Sequence, residues 1–200
     1  MGLIHIVRHG ETSYNRQGRF QGQLDVPLSA EGLRQAEKLA QRLAPDRIDT
    51  VFSSDLMRAR VTAIRIAEAT GAKIITDPRL RELDVSRWSG LTLHEVQEQF
   101  PQDLVEWKRK PLDISPHGGE TIVGMAERIR AFIAEHSWEG NATYVIVTHG
   151  HAIKVLLCLI LGMDLSLKDR FWADNASLTT VWVNDGTARL MLLNDTCHLA

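Results

Sequence analysis

Cysteine is scarce in this chain: Cys158 and Cys197 are the only two among 200 residues, too few for the disulfide framework of a small secreted domain. A reducing, cytoplasmic setting is the expectation. Basic charge is not in excess either, since 23 Lys and Arg stand against 25 Asp and Glu for a formal net charge of −2. That balance points away from a nucleic-acid partner, and the one basic cluster, Lys108-Arg109-Lys110, reads as a solvated helix end. The longest apolar run, Val155 to Met163, falls far short of the roughly 20 residues that a membrane helix needs, so no membrane partner is expected. Strand-like residues begin almost at Met1, so no signal peptide is expected, and Ile6 stands where a myristoylation signal wants Ser or Thr. The triplets starting at Asn141, Asn175 and Asn194 match the glycosylation pattern but lack a secretory route. Linkers, repeats and low-complexity tracts are missing too. What remains is one domain over residues 1–200, with 44% hydrophobic residues to build a core and a length inside the usual domain range.

What is present concentrates at the ends of short apolar runs. Leu3-Ile4-His5-Ile6-Val7 has the pattern of a buried strand and leads into Arg8-His9-Gly10-Glu11-Thr12. Gly10 permits a sharp turn, Arg8 offers a fork of donors matched to phosphate oxygens, and His9 offers a ring nitrogen that can attack or accept a proton. Thr143 to Thr148 is a second such run and also ends in a His-Gly pair, His149-Gly150. In open α/β sheets ligands bind at the carboxyl ends of strands, so a fold that makes these two strands neighbours puts His9 and His149 across one pocket. A lone histidine such as His5 or His136 is more simply a core residue.

Two further pieces lie between the pair. Thr50-Val51-Phe52-Ser53 reads as a strand, and Ser54-Asp55-Leu56-Met57-Arg58-Ala59 opens a helix toward Gly71, with Arg58 one turn in and directed at the same crevice. Leu80-Arg81-Glu82-Leu83-Asp84 places a carboxylate pair in a loop after the strand-like Lys73-Ile74-Ile75-Thr76.

Helical stripes fill the gaps: Leu33, Ala36, Ala40 and Leu43 after Ser29, a capping box at Thr92-Leu93-His94-Glu95, and Ile122, Met125, Ile129 and Phe132 after Gly119. Leu178 to Val183 and Ala188 to Leu193 alternate around Asp185-Gly186, the pattern of a hairpin or adjacent strands. Strands alternating with helices predict a three-layer α/β/α fold with a mostly parallel central sheet. The stretch 80–119, with Pro101, Pro111 and Pro116, is expected to be a cap-like insertion beside the pocket that carries specificity.

Taken together, these residues resemble the histidine phosphatase superfamily, the phosphoglycerate-mutase-like enzymes, and within it the small phosphatase branch. The likeness runs over nearly the whole chain: Arg8-His9-Gly10-Glu11-Thr12 and Asn15, Ser53 to Ala59, Leu80-Arg81-Glu82, Trp88-Ser89-Gly90-Leu91, Gly118-Gly119-Glu120-Thr121 and Val147-Thr148-His149-Gly150 follow the family's order. The resemblance implies a hydrolase of small phosphorylated metabolites that needs no metal or other cofactor. His9 is then the nucleophile that becomes a phosphohistidine. Arg8, Arg58 and His149 hold the phosphoryl oxygens, with Asn15 and the Gly150 N–H as neutral donors. Glu82 is the acid and base, a role that calls for a raised pKa. Phosphoglycerate mutases share the histidine pair but carry a Tyr-Gly and Gly-Leu-Asn-Lys pattern where Asp84 to Gly90 stands here, which favours hydrolysis over transfer between substrate oxygens. Asp174 to Ser177 and Asn194 to Leu199 resemble metal-independent phosphoserine phosphatases, yet Val85 replaces the His usual there. Two other readings stay open: a phosphate-binding module without turnover, and a metal site built from His9, His149 and His151. A homodimer is also open, and the alcohol half of the substrate is not legible.

Overall fold

The computed structural model describes residues 2–138 and 140–200. Six strands, β1 (Gly2–Arg8), β2 (Thr50–Ser53), β3 (Lys73–Thr76), β4 (Thr143–Thr148), β5 (Leu178–Asn184) and β6 (Thr187–Asp195), form one sheet in the order β3-β2-β4-β1-β5-β6. The pairs β3-β2, β2-β4 and β4-β1 are parallel, while β5 runs antiparallel to both β1 and β6. The hairpin expected from Leu178 to Leu193 is therefore real and caps the β1 side of the sheet.

Two-residue alternation sends successive side chains to opposite faces. Ile4, Ile6, Phe52 and Ile146 belong to one core cluster, shared with α6 (Ile122–Glu135) and α7 (Gly150–Ile160); Val7, Val51, Val145 and Val147 belong to the other, shared with α2 (Ala30–Leu43) and α3 (Met57–Thr70). This is the expected three-layer arrangement. His5 is a satisfied core histidine, with Nδ1 2.9 Å from the Thr180 hydroxyl. Cys158 is buried in α7 as a small apolar residue.

The stripe on α2 is realised with one change. Ala36, Ala40 and Leu43 are buried together with Leu39, whereas Leu33 is 43% exposed. The cause is close backbone contact in the first turn. A Cβ on Gly32 would lie 2.0 Å from the Glu11 carbonyl oxygen, and one on Gly10 2.4 Å from the Gly32 oxygen. Helix α2 therefore touches the Gly10-Glu11 turn through bare backbone, and the neighbouring Leu33 turns outward. Helix α3 starts at Met57 rather than at Ser54, so Arg58 is its second residue, and it ends on Gly71 at φ +74°, the left-handed closure that glycine favours.

The stretch 80–119 contains α4 (Leu93–Gln99) and α5 (Pro101–Arg109), after the four-residue α1 (Ser13–Arg16) near the amino end. The Thr92/Glu95 capping box is present at α4. Leu80, Leu83, Val85, Trp88, Val96 and Leu104 from this stretch join the same core cluster as α6 and α7. Among the described residues no helix is long and apolar enough to cross a membrane.

Candidate active site

Parallel pairing of β1 with β4 puts Arg8 opposite Thr148, and the His9 N–H continues the ladder to the Thr148 carbonyl at 3.0 Å. His9 and His149 consequently sit side by side just past two adjacent strand ends, with ring centroids 5.1 Å apart. Neither is exposed by more than 2%. The adjoining cavity is lined by Arg8, His9, Asn15, Arg58, Glu82 and Gly150 among others. Six of the seven expected residues thus share one wall, and the seventh, His149, packs against His9.

Local bonding fixes the tautomer of His9. Its Nδ1 lies 2.7 Å from the Gly10 carbonyl oxygen, which can only accept, so Nδ1 carries the proton and Nε2 keeps its lone pair. Burial, together with His149, Arg58 and Arg8, pushes the His9 pKa well below the ordinary imidazole value against the opposing bond to Gly10. The ring is therefore held neutral. His149 is likewise held well below, by burial and by Arg58 and Arg8, with Glu82 opposing. The His9 carbonyl receives two further bonds at 3.1 Å, from the Asn175 side chain and the Ala176 N–H. Asp174 and Asn194 exchange bonds, and His198 reaches the Ala176 carbonyl, so the terminal segment braces the loop behind His9.

The arginines are anchored on one edge and free on another. Arg8 donates through Nη1 to the Ala173 carbonyl at 2.6 Å, and Arg58 donates to the carbonyls of Leu24 and Gly22 at 2.7 and 2.8 Å. In each the buried Nε has no partner, and neither do both ring nitrogens of His149. Burial lowers the Arg58 pKa to about 10, against the pull of Glu82 and Asp25, and lowers that of Arg8, against Glu82 and Asp174. Buried donors without partners are costly; several converging on one cavity describe a seat for an anion. Asn15 points the same way. Its Oδ1 is engaged by the N–H and hydroxyl of Thr12 and by Asn175, which leaves the amide NH2 for a ligand.

Glu82 departs from expectation in its charge. Burial disfavours the carboxylate, yet the pKa lies well below the ordinary value because His151 and His149 and the Leu83 N–H outweigh it. Oε1 accepts from the Leu83 N–H at 2.8 Å and Oε2 from the His151 N–H at 3.2 Å. A raised pKa is therefore not a property of the free pocket. The coulombic pull of His151, aided by hydrogen bonds that favour the charged form, outweighs desolvation here. Arg128 fixes the segment from behind: it donates to the carbonyls of Arg79 and Glu82 at 2.6 and 3.2 Å and grips Glu120 through two bonds. That gives Glu120 of the Gly118-Gly119-Glu120-Thr121 motif a structural role. Asp84 turns away, its Oδ1 accepting from the Ser86 N–H.

From 80–119 the cavity wall takes Glu82 and Val85; the rest of its outer part is Arg19 to Gly22, His151, Lys154, Trp172 and Ala173. Sequence reasoning passed over most of these. The 19–22 and 172–173 segments have no periodicity to mark them, and His151 and Lys154 are told apart from ordinary helix residues only by following Gly150 by one and four positions. Among the described residues no three His, Cys, Asp or Glu side chains are arranged to hold a metal ion.

A strand-tip histidine pair, two half-anchored arginines and a carboxylate define a phosphoryl-handling enzyme. The family model of the histidine phosphatase superfamily, branch 1, matches residues 4–196, and the chain belongs to that family. It is 38% identical to phosphoserine phosphatase 1 of Hydrogenobacter thermophilus over 100% of this chain and 95% of that protein. It is also 35% identical to a probable phosphoglycerate mutase of Proteus mirabilis, over 98% and 94%. The mycobacterial glucosyl-3-phosphoglycerate phosphatase has the same fold, with a TM-score of 0.88 and 32% identity over 98% of this chain and all of that one.

Proposed function

We propose that this protein hydrolyses the phosphomonoester of a small phosphorylated metabolite through a phosphohistidine on His9, without a metal. The observation that carries the reading is the ring of buried donors without partners, on Arg8, Arg58 and His149, around a histidine whose Nε2 lone pair is free. The lone pair attacks phosphorus as the bond to the ester oxygen breaks, and Glu82 protonates that oxygen. The two arginines, one N–H of His149, the Asn15 amide and the Gly150 N–H take up the charge on the phosphoryl oxygens. Water then attacks the phosphohistidine, giving its proton to Glu82. Entry of a phosphate dianion beside Glu82 raises its pKa, which reconciles a carboxylate in the free pocket with an acid in the complex.

Phosphoryl transfer to a second substrate oxygen, as in a mutase, shares the first half of this path and is favoured by the likeness to the Proteus protein. The Asp84 to Gly90 segment supports hydrolysis instead. A panel of phosphoserine, 3-phosphoglycerate, ribazole phosphate and para-nitrophenyl phosphate, assayed with a chelator present and with free phosphate and isomerised product measured separately, decides between them. Isomerised product without free phosphate would overturn hydrolysis, and loss of activity with chelator would overturn the metal-free route. A cytoplasmic location and no nucleic-acid partner complete the proposal, supported by two unpaired cysteines and a net charge of −2.

A further inference from the structure

Glu82 accepts from the N–H groups of Leu83 and His151 in the free pocket, so it must gain a proton once substrate is bound, and a group beside it is placed to supply one. We propose that His151 is the proton carrier of Glu82, passing a proton inward before the alcohol leaves and taking one back after water attacks. The inference rests on the reading of Glu82 as the acid and base.

The His151 Nδ1 lies 3.7 Å from Glu82 Oε1, a gap closed by a small ring rotation or one bridging water. The backbone N–H of His151 also donates to Glu82 Oε2, so the two residues are tied together whatever the ring does. Exposure grades outward along the pair: the Glu82 side chain is 15% exposed and that of His151 29%, and both line the cavity. Glu82 faces the reacting centre, and His151 reaches solvent.

No other group around the cavity can take the part. Arg8, Arg19 and Arg58 do not release protons. Lys154, one turn further along α7, is engaged by Asp169 at 3.0 Å. His9 is spent on the phosphoryl group, and His149 is fully buried. Among the described residues, Glu82 is the only acidic side chain on the cavity wall.

The step balances. A proton moves from Nδ1 of the His151 imidazolium to Glu82, and from Glu82 to the ester oxygen, which keeps the electron pair of the broken P–O bond while the N–P bond forms on His9. In the second half a water oxygen bonds to phosphorus, the N–P pair returns to His9, and the water proton travels through Glu82 back to His151. One water is consumed, and the alcohol and phosphate are released.

The test compares His151→Ala and His151→Gln with the parent enzyme on phosphoserine, or the best alkyl ester of the panel, and on para-nitrophenyl phosphate, whose leaving group needs little protonation. Both variants keep the backbone bond to Glu82, and the glutamine keeps a polar side chain at the cavity mouth. Expected is a loss of about tenfold or more in kcat on the alkyl ester, little change on the aryl ester, partial rescue of His151→Ala by added imidazole, and no further loss when His151→Ala is added to Glu82→Gln. Unchanged alkyl turnover in both variants, or equal losses on the two esters, would overturn the carrier. If Glu82→Gln shows leaving-group dependence while the His151 variants do not, the carrier falls and Glu82 stands; if Glu82→Gln shows none, the acid assignment itself falls.

Discussion

The rings of His9 and His149 stand 5.1 Å apart, centroid to centroid, at an interplanar angle of 59°, although 140 positions separate them in the chain. Of the two, His9 has its Nδ1 proton held by the Gly10 carbonyl, whereas both nitrogens of His149 lack partners. His9→Ala is expected to abolish hydrolysis with the fold retained by circular dichroism, and rapid quench of the parent enzyme should trap acid-labile, base-stable phosphate on His9. Substantial residual turnover in His9→Ala would exclude it as nucleophile.

Arg8→Ala and Arg58→Ala should each lower kcat/KM by about a hundredfold or more, the scale of losing a preorganised transition-state donor. Steady-state kinetics on a phosphomonoester measures this. A loss below about tenfold in either would show that its unpartnered Nε does not meet the phosphoryl group.

Glu82→Gln should harm alkyl phosphates far more than para-nitrophenyl phosphate, since only the poor leaving group requires a proton. Asp84→Asn is the control, because Asp84 caps the turn at Ser86 away from the cavity wall. Equal losses on both esters in Glu82→Gln refute the acid role, and leaving-group dependence at Asp84 moves the role there.

Stability should fall as pH drops below about 6.5. Burial lowers the folded-state pKa of both His9 and His149 well below 6.5, so between the unfolded and folded values the unfolded chain binds more protons than the native one. The neutral rings cost nothing above the unfolded value, and the penalty grows as pH falls toward the folded one. Urea unfolding at several pH values measures the slope. His149→Gln should flatten it, and an unchanged slope would mean that His149 titrates alike in both states.

Gly32→Ala should destabilise the protein by about 1–3 kcal/mol, because the new methyl group would meet the Glu11 carbonyl oxygen at 2.0 Å. Pushing α2 off the Gly10-Glu11 turn also disturbs the loop that carries His9, so KM should rise with the loss of stability. Unfolding that matches the parent would show that the backbone yields without strain.

Much of this was legible because it is local. Apolar runs ending in Arg8-His9-Gly10 and His149-Gly150 marked two strand tips, helical spacing marked α6, and the Thr92/Glu95 pair marked the start of α4, since capping and periodicity act within a few residues of one chain segment. Leu33 escaped that logic. Spacing put it on the buried stripe, and the close approach of Gly32 to Glu11 turned it out.

Residue type and local pattern alone pointed to His9 and His149, Arg8 and Arg58, and Glu82, the residue types that phosphoryl transfer asks for, at the ends of predicted elements. Their arrangement and charge state came from tertiary contacts. Sheet order β3-β2-β4-β1 made the two histidines neighbours, anchoring carbonyls left one face of each arginine free, and His151 and His149, with the Leu83 N–H, held Glu82 as a carboxylate where an acid was expected. Charge state and orientation are set by groups brought together from distant positions, through burial and short-range hydrogen bonds, and no spacing along the chain encodes those distances.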